Sequence, residues 1–109
     1  MLPILYDPTE KMNKLEKRYA DYLYLQQLNK EIISYRFHPF KLILASKTTY
    51  EIDFFVIYQD RFEIHETKGF MRDDAAVKLK VAASMFPFWN FKLVKWDRKK
   101  GWDIKEVQK

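Results

Sequence analysis

Two neighbouring segments in the middle of this 109-residue chain are typical of β-strands, and only a short turn separates them. Residues 49–58 are rich in β-branched and aromatic side chains, and residues 62–68 follow as a second strand. The intervening Gln59, Asp60 and Arg61 predict the turn. The pair predicts a sheet whose central strand lies at residues 49–58.

Helices are predicted on both sides of this strand pair. Apolar side chains recur at helical spacing over residues 11–29, and Asn29 is a suitable end for that helix. A second amphipathic helix is predicted to be capped by Asp73 or Asp74 and to end at Pro87. Gly69 is expected to end the strand that precedes it.

Three further segments have strand character. Residues 35–45 are extended in character, and Pro39 indicates an edge strand or a bent one. Residues 90–96 and 102–107 predict two strands joined by a basic turn. The predicted order is therefore helix, three strands, helix, two strands, which is an α/β (α+β) fold.

Length and composition predict a single domain over residues 1–109, in which residues 1–10 form a loose arm. The hydrophobic fraction of 48% is sufficient for a real core, and no cysteine is present for a disulfide or thiolate site. No apolar run reaches the roughly 20 residues that span a bilayer. These features predict a cytoplasmic protein without a membrane partner, and the net charge of +5 favours a polyanion partner.

One short motif is a candidate for chemistry: an acid, a spacer and a lysine. Chance alone predicts roughly two such matches in this composition, and three occur. Asp97–Lys99 and Asp103–Lys105 flank the basic turn, so they are predicted to be solvated surface charges. Glu66–Lys68 instead lies in the apolar strand pair, where a second acid, Asp53, is available on the neighbouring strand.

The strand period places Glu66 and Lys68 on one face. A lone charge at Asp53 among apolar neighbours is costly, and a divalent cation is the strongest partner for clustered carboxylates. Glu16, on the sheet-facing edge of the first helix, is the natural third carboxylate. We therefore predict Mg²⁺ binding by Asp53, Glu66 and Glu16, with Mn²⁺ as a substitute, and a role for Lys68 in orienting water or stabilising charge.

Less specific interpretations of these residues remain open. Asp53, Glu66 and Lys68 could form a buried salt-bridge cluster without catalysis, and Glu16 could pair with its neighbours on the helix surface. Glu63 and His65 point to the opposite strand face, where packing or hydrogen bonding is the expected role. His38, beside Pro39, gives no functional signal.

The helix with Glu16, the segment around Asp53 and the segment Glu63-Ile64-His65-Glu66-Thr67-Lys68-Gly69 resemble the PD-(D/E)XK nuclease superfamily, over roughly residues 14–96. The short chain is most similar to small phage-type endonucleases, including Holliday-junction resolvases. Ile52 stands where the superfamily's name has proline. The resemblance implies a restriction-endonuclease-like core with a mixed central sheet flanked by two helices, Mg²⁺ dependence, and cleavage of branched or duplex DNA. For a phage protein, the compartment is the host cell cytoplasm.

Basic residues outside the motif are candidates for DNA contacts. The sequence offers the turn Arg98-Lys99-Lys100 and the helix residues Lys78 and Lys80, and solvation alone is the alternative for each. Tyr24, Leu25 and Leu28 lie off the packing stripe of the first helix, so the N-terminal arm or a second copy in a homodimer could cover them. Two other protein classes remain: a non-catalytic nucleic-acid-binding module, and an interaction protein whose acids only stabilise the fold.

Overall fold

The computed structural model describes residues 11–68 and 73–107, which form two helices and seven strands. In chain order the elements are α1 (Lys14–Leu28), β1 (Ser34–Phe37), β2 (Lys41–Ala45), β3 (Thr48–Glu51), β4 (Phe54–Ile57), β5 (Phe62–Thr67), α2 (Asp73–Met85), β6 (Asn90–Asp97) and β7 (Gly101–Glu106). Neither of these helices is long and apolar enough to cross a membrane. The predicted arm at residues 1–10 and the predicted strand end at Gly69 lie outside the described residues.

Five of the strands form one mixed sheet in the order β1-β4-β5-β6-β7. The β5–β6 pair is parallel and the other three pairs are antiparallel. Because α2 connects β5 to β6, the parallel pair has the crossover connection that such pairs require. The mixed α+β architecture, with a mixed sheet and two helices, confirms the coarse fold class predicted from the sequence.

Helix α1 begins with a capping box, in which Asn13 and Glu16 each accept a hydrogen bond from the other's backbone N–H at 2.8 Å. It ends at Leu28 with Asn29 as the cap, as predicted. Tyr19 and Leu23 are buried on its sheet-facing side. They pack with Ala20, Ile32, Phe37, Phe54, Val56 and Val94 into the core on one face of the sheet.

The opposite face of the sheet is covered by α2 together with a separate two-stranded sheet, the β2–β3 hairpin. The buried side of α2 carries Leu79, Ala82 and Ala83, which are residues of the predicted apolar stripe. They form a second core with Leu42, Tyr50, Ile52, Ile64 and Phe91. The sheet therefore has a helix on each face, and β2–β3 covers part of the face on which α2 lies.

The predicted number of strands before α2 was wrong, because two predicted strands are each divided. Residues 35–45 separate into β1 and β2 around His38 and Pro39, where His38 adopts a left-handed φ of 47° and proline has no N–H for a sheet bond. Residues 49–58 separate into β3 and β4 at Ile52 and Asp53. The two breaks allow the chain to leave the central sheet, form the β2–β3 hairpin and return.

Candidate functional site

A row of three titratable side chains lies at one end of the central sheet. The registers of β1 with β4 and of β4 with β5 place His38, Asp53 and Glu66 side by side, one residue beyond the last paired positions. The backbone N–H of His38 donates to the carbonyl of Asp53 at 2.8 Å, which extends the pairing into this row. The sheet itself therefore brings together residues that are far apart in sequence.

An open cavity of about 320 Å³ lies over this row. Its lining comes from both helices, the β2–β3 hairpin and the sheet end: Glu16, His38, Thr49, Tyr50, Glu51, Asp53, Glu66, Lys68, Ala75 and Lys78. The lining includes four carboxyl groups and two lysines. With the carboxyl groups ionised, two positive charges leave the cavity with an excess of negative charge.

Asp53 is held through one of its two carboxylate oxygens. Its Oδ2 accepts hydrogen bonds from the backbone N–H and the side-chain hydroxyl of Thr67, at 2.9 and 3.0 Å. Its Oδ1 lies 3.5 Å from Nε2 of His38. Because one oxygen is already bonded, the orientation of the carboxylate is fixed with the other oxygen towards the cavity residues.

Glu66 has a donor at each carboxylate oxygen. The Tyr50 hydroxyl donates to Oε1, and Nζ of Lys68 lies 3.3 Å from Oε2. Burial and the nearby charge of Asp53 nevertheless raise the pKa of Glu66 to about 7. Burial alone would lower the pKa of Lys68, but Glu66 and Asp53 outweigh it and the net pKa is raised, so Lys68 remains charged at neutral pH.

The raised pKa of Glu66 predicts a pH-dependent cost to the metal-free fold. Between the ordinary pKa of 4.5 and the folded pKa of about 7, the native state binds more protons than the unfolded chain. The stabilisation that comes from protonated Glu66 is fully present below pH 4.5 and is lost as the pH rises through 7. Glu66→Gln should therefore be more stable than the wild type at pH 8 in chelator, by about 1–3 kcal/mol, and lose that advantage at pH 5.

Urea unfolding of both proteins at the two pH values measures the difference. Asp103→Asn is the matched control, because Asp103 belongs to another acid-x-Lys pair but lies on the surface, 3.8 Å from Lys105. A gain for Glu66→Gln that is the same at pH 5 and pH 8 would contradict the assigned titration.

Glu16 approaches the same cavity from α1. Its Oε1 is held by the capping box, and its Oε2 lies 4.0 Å from Nε2 of His38. One potential ligand atom from each of Glu16, His38 and Asp53 lies within 4.8 Å of the others, a spacing that could hold a metal ion. Glu66 is not in this group, although the sequence analysis predicted it as a ligand with Glu16 and Asp53. It lies at the Lys68 side of the same cavity.

The basic residues predicted to contact DNA occupy three places. Lys78 lines the cavity and donates to the backbone carbonyl of Thr49 at 3.1 Å. Lys80 is exposed on α2 and is not part of the cavity lining. Arg98, Lys99 and Lys100 are exposed in the β6–β7 turn.

The β6–β7 turn lies at the same end of the sheet as the cavity. Because β6 runs parallel to β5 and Val94 pairs with Thr67, the continuation of β6 passes the end of β5. Arg98 is four residues beyond Val94, which is about 13 Å along an extended strand. The carboxylate of Asp97 accepts hydrogen bonds from the backbone N–H groups of Lys99 and Lys100, at 2.7 and 3.1 Å, which fixes the shape of the turn.

His38 and Tyr50 make direct contacts to the predicted carboxylates, and neither is predicted as a site residue from the sequence. The sequence predicts no functional role for His38, yet its Nε2 faces the carboxylates of both Glu16 and Asp53. Tyr50 was noted only as part of a strand, yet it donates to Glu66. The one available signal for His38 was its position before Pro39, where an otherwise apolar strand segment must break.

Glu63 and His65 lie on the α1 face of the sheet, opposite Glu66, as the strand period predicted. Nε2 of His65 is 2.8 Å from Glu63, Nδ1 is 2.6 Å from the Tyr19 hydroxyl, and Arg61 donates to Glu63 at 2.7 Å. Burial lowers the pKa of His65, so the ring is neutral at neutral pH. A neutral ring that donates through Nε2 to Glu63 accepts the Tyr19 hydroxyl at Nδ1.

Comparisons of this chain with protein-family models, with curated proteins and with solved structures found no match.

Proposed function

We propose that this protein is a metal-dependent endonuclease that hydrolyses phosphodiester bonds in DNA. The observation that carries the proposal is the convergence of Glu16, Asp53, Glu66 and Lys68 on one open cavity. A group of buried carboxylates beside a lysine, with the pKa of one acid raised, is costly to a fold and is typical of a functional site. Branched DNA is the substrate class suggested by the resemblance to small phage-type endonucleases.

The carboxylates of Glu16, Asp53 and Glu66 provide the hard oxygen ligands that Mg²⁺ and Mn²⁺ prefer. When bound, such an ion supplies a water of lowered pKa and neutralises charge on the phosphate. Thr67 fixes the orientation of Asp53, and Tyr50 fixes that of Glu66. The Lys68 side chain has only hydrogen-bond donors, so it acts on the attacking water or on a phosphate oxygen. The ion pair with Glu66, in which Nζ is 3.3 Å from Oε2, holds Lys68 at the cavity.

DNA binding in this proposal uses the basic groups around the cavity. Lys78 lies in the cavity wall, and the β6–β7 turn with Arg98, Lys99 and Lys100 extends beyond the same end of the sheet. Phosphate contacts of this kind give affinity without sequence preference. Arg98 lies four residues beyond Val94, the neighbour of Thr67, so the turn would contact phosphates that flank the scissile one.

The decisive experiment is incubation of the protein with branched, duplex and single-stranded DNA, in Mg²⁺, in Mn²⁺ and in chelator. Asp53→Asn should abolish metal-dependent cleavage and leave DNA affinity equal to or higher than that of the wild type, because it removes negative charge near phosphate. Asp103→Asn is the control, because it removes a surface acid with the same spacing to a lysine. Cleavage by Asp53→Asn at the wild-type rate would exclude Asp53 from the chemistry.

The β6–β7 turn gives a separate prediction. Neutralising Lys99 and Lys100 together should weaken binding to all DNA sequences alike and reduce the salt dependence of the affinity by about two phosphate contacts. Affinity titrations over a series of salt concentrations measure both effects. Lys47→Ala with Lys41→Ala is a matched control, because both lysines are exposed on the β2–β3 hairpin. An unchanged dependence of affinity on salt concentration would show that Lys99 and Lys100 are only solvated and do not contact DNA.

The alternative function is nucleic-acid binding without catalysis. It predicts DNA affinity that is independent of metal, and no cleavage of any substrate in the panel. Thermal melting distinguishes the two proposals without a substrate, because millimolar Mg²⁺ or Mn²⁺ should stabilise a carboxylate site and have little effect on a purely basic binding surface.

A further inference from the structure

Each ring nitrogen of His38 has a carboxylate neighbour, and Nε2 faces two of them. Nε2 is 3.5 Å from Oδ1 of Asp53 and 4.0 Å from Oε2 of Glu16. Two ligands on one ion with bonds of about 2.0–2.2 Å are separated by about 3 Å at right angles and up to roughly 4.3 Å when opposite. Both measured separations fall inside this range, and one potential ligand atom from each of Glu16, His38 and Asp53 lies within 4.8 Å of the others, a spacing that could hold one ion.

The other ring nitrogen of His38 also has a carboxylate neighbour. Nδ1 is 3.9 Å from Oε1 of Glu51, which is about 40% exposed and approaches from the other side of the ring. In metal-binding histidines the second ring nitrogen commonly donates to a carboxylate, which keeps the proton there while the first nitrogen coordinates. Glu51 is the carboxylate in position for this role, although 3.9 Å is longer than a hydrogen bond. The Phe37 ring stacks on the imidazole with centroids 3.8 Å apart, which restricts the ring orientation.

We infer that Glu16, His38 and Asp53 form a mixed nitrogen and oxygen site that takes a divalent transition-metal ion, of which Mn²⁺ is the probe, in preference to Mg²⁺. The inference rests on the proposed function for its biological setting and changes the metal expected there. A site of carboxylates alone suits Mg²⁺, whereas an imidazole ligand shifts selectivity towards first-row transition metals. The cavity lining has four carboxyl groups against two lysines, which favours a cation as the occupant.

The alternative role for His38 is that of a protonated ion-pair partner to the surrounding carboxylates. The two roles make opposite predictions. An imidazolium competes with a metal for the carboxylates, so its removal would strengthen metal binding. A ligand contributes a bond, so its removal weakens Mn²⁺ binding and has little effect on Mg²⁺.

Pulsed electron paramagnetic resonance of bound Mn²⁺ tests the inference directly. The wild-type protein should show nuclear modulation from coordinated ¹⁴N, and this should change to that of ¹⁵N when only the histidines are ¹⁵N-labelled. The chain has two histidines, and the other one, His65, is about 3% exposed with both ring nitrogens hydrogen-bonded. A histidine signal therefore identifies His38, and its absence in the labelled wild type overturns the inference without any variant.

His38→Asn is the matching variant, because asparagine tolerates the left-handed backbone at this position and offers a hard amide oxygen. We expect its Mn²⁺ affinity to fall by about tenfold or more, with Mg²⁺ affinity changed far less. Equal or tighter Mn²⁺ binding by the variant would overturn the inference. Nitrogen coordination without cleavage of any DNA would support this metal site and reject the nuclease function. Cleavage without nitrogen coordination would support the nuclease function and overturn this metal site.

Discussion

Replacing Lys68 with alanine is expected to lower the rate of DNA cleavage by about 10²–10³-fold or more, which is the scale for loss of a preorganised charge donor. The same variant should keep its stabilisation by Mg²⁺ or Mn²⁺. The reason is chemical: an ammonium group cannot coordinate a cation, and its removal leaves the carboxylate oxygens of Glu16, Asp53 and Glu66 available. Loss of a positive charge 3.3 Å from Glu66 should make metal binding equal or tighter.

Calorimetric metal titration of Lys68→Ala, Lys68→Arg and Glu66→Gln, read beside their cleavage rates, separates the roles. Lys68→Arg should rescue poorly, because a wide guanidinium fork replaces a compact charge. Glu66→Gln should lose both the metal response and the rate. Lys105→Ala is the control, since Lys105 has the same spacing to an acid but is about 76% exposed.

Two outcomes would contradict this assignment. If Lys68→Ala loses metal binding as completely as Glu66→Gln, Lys68 only holds the acid cluster together. If it loses neither metal binding nor rate, Glu66–Lys68 is one of the chance acid-x-Lys matches in this composition.

The part of the site that could be predicted from the sequence depends on local geometry. The strand period alone separates Glu66 and Lys68 from Glu63 and His65, and the structure has the two pairs on opposite faces as expected. The helical period likewise placed Glu16 at the edge of the sheet-facing side of α1. Each inference required only the repeat of one element, which is fixed by backbone geometry.

The residues that were missed depend on pairing between distant segments. His38 reaches Asp53 because β1 pairs with β4 across fifteen residues, and nothing in its own neighbourhood specifies that register. Tyr50 reaches Glu66 because the β2–β3 hairpin folds over the sheet. Neither contact follows from the composition or period of one segment.

The divided strands have the same explanation. The β-forming composition of residues 49–58 is continuous through Ile52 and Asp53, so propensity predicts one strand. In the folded chain, the regular strand is interrupted at these two residues: Ile52 is fully buried in the core under α2, and the carboxylate of Asp53 accepts hydrogen bonds from Thr67. Tertiary packing and a specific hydrogen bond therefore override a uniform local preference.

The largest stability effect is expected at Glu63, on the face opposite the candidate site. Burial alone would raise the pKa of this carboxyl, but hydrogen bonds from His65 and Arg61 lower it to about 2. Because the folded pKa is below the ordinary 4.5, the stabilisation is fully present above pH 4.5 and is lost as the pH falls towards 2. Removing the charge of this buried carboxylate leaves the donors of His65 and Arg61 without their ionised acceptor, which is destabilising.

Glu63→Gln should therefore lower the free energy of unfolding at pH 7 by about 2–4 kcal/mol, and the difference from the wild type should shrink as the pH falls. Urea unfolding at a series of pH values from neutral to acid measures both quantities. Asp60→Asn is the matched control, because Asp60 binds the same Arg61 at 2.8 Å but its side chain is 75% exposed. A surface pair of this kind is worth at most about 1 kcal/mol. Equal effects of the two substitutions, or a Glu63→Gln deficit that persists unchanged in acid, would show that packing rather than ionised Glu63 supports this side of the sheet.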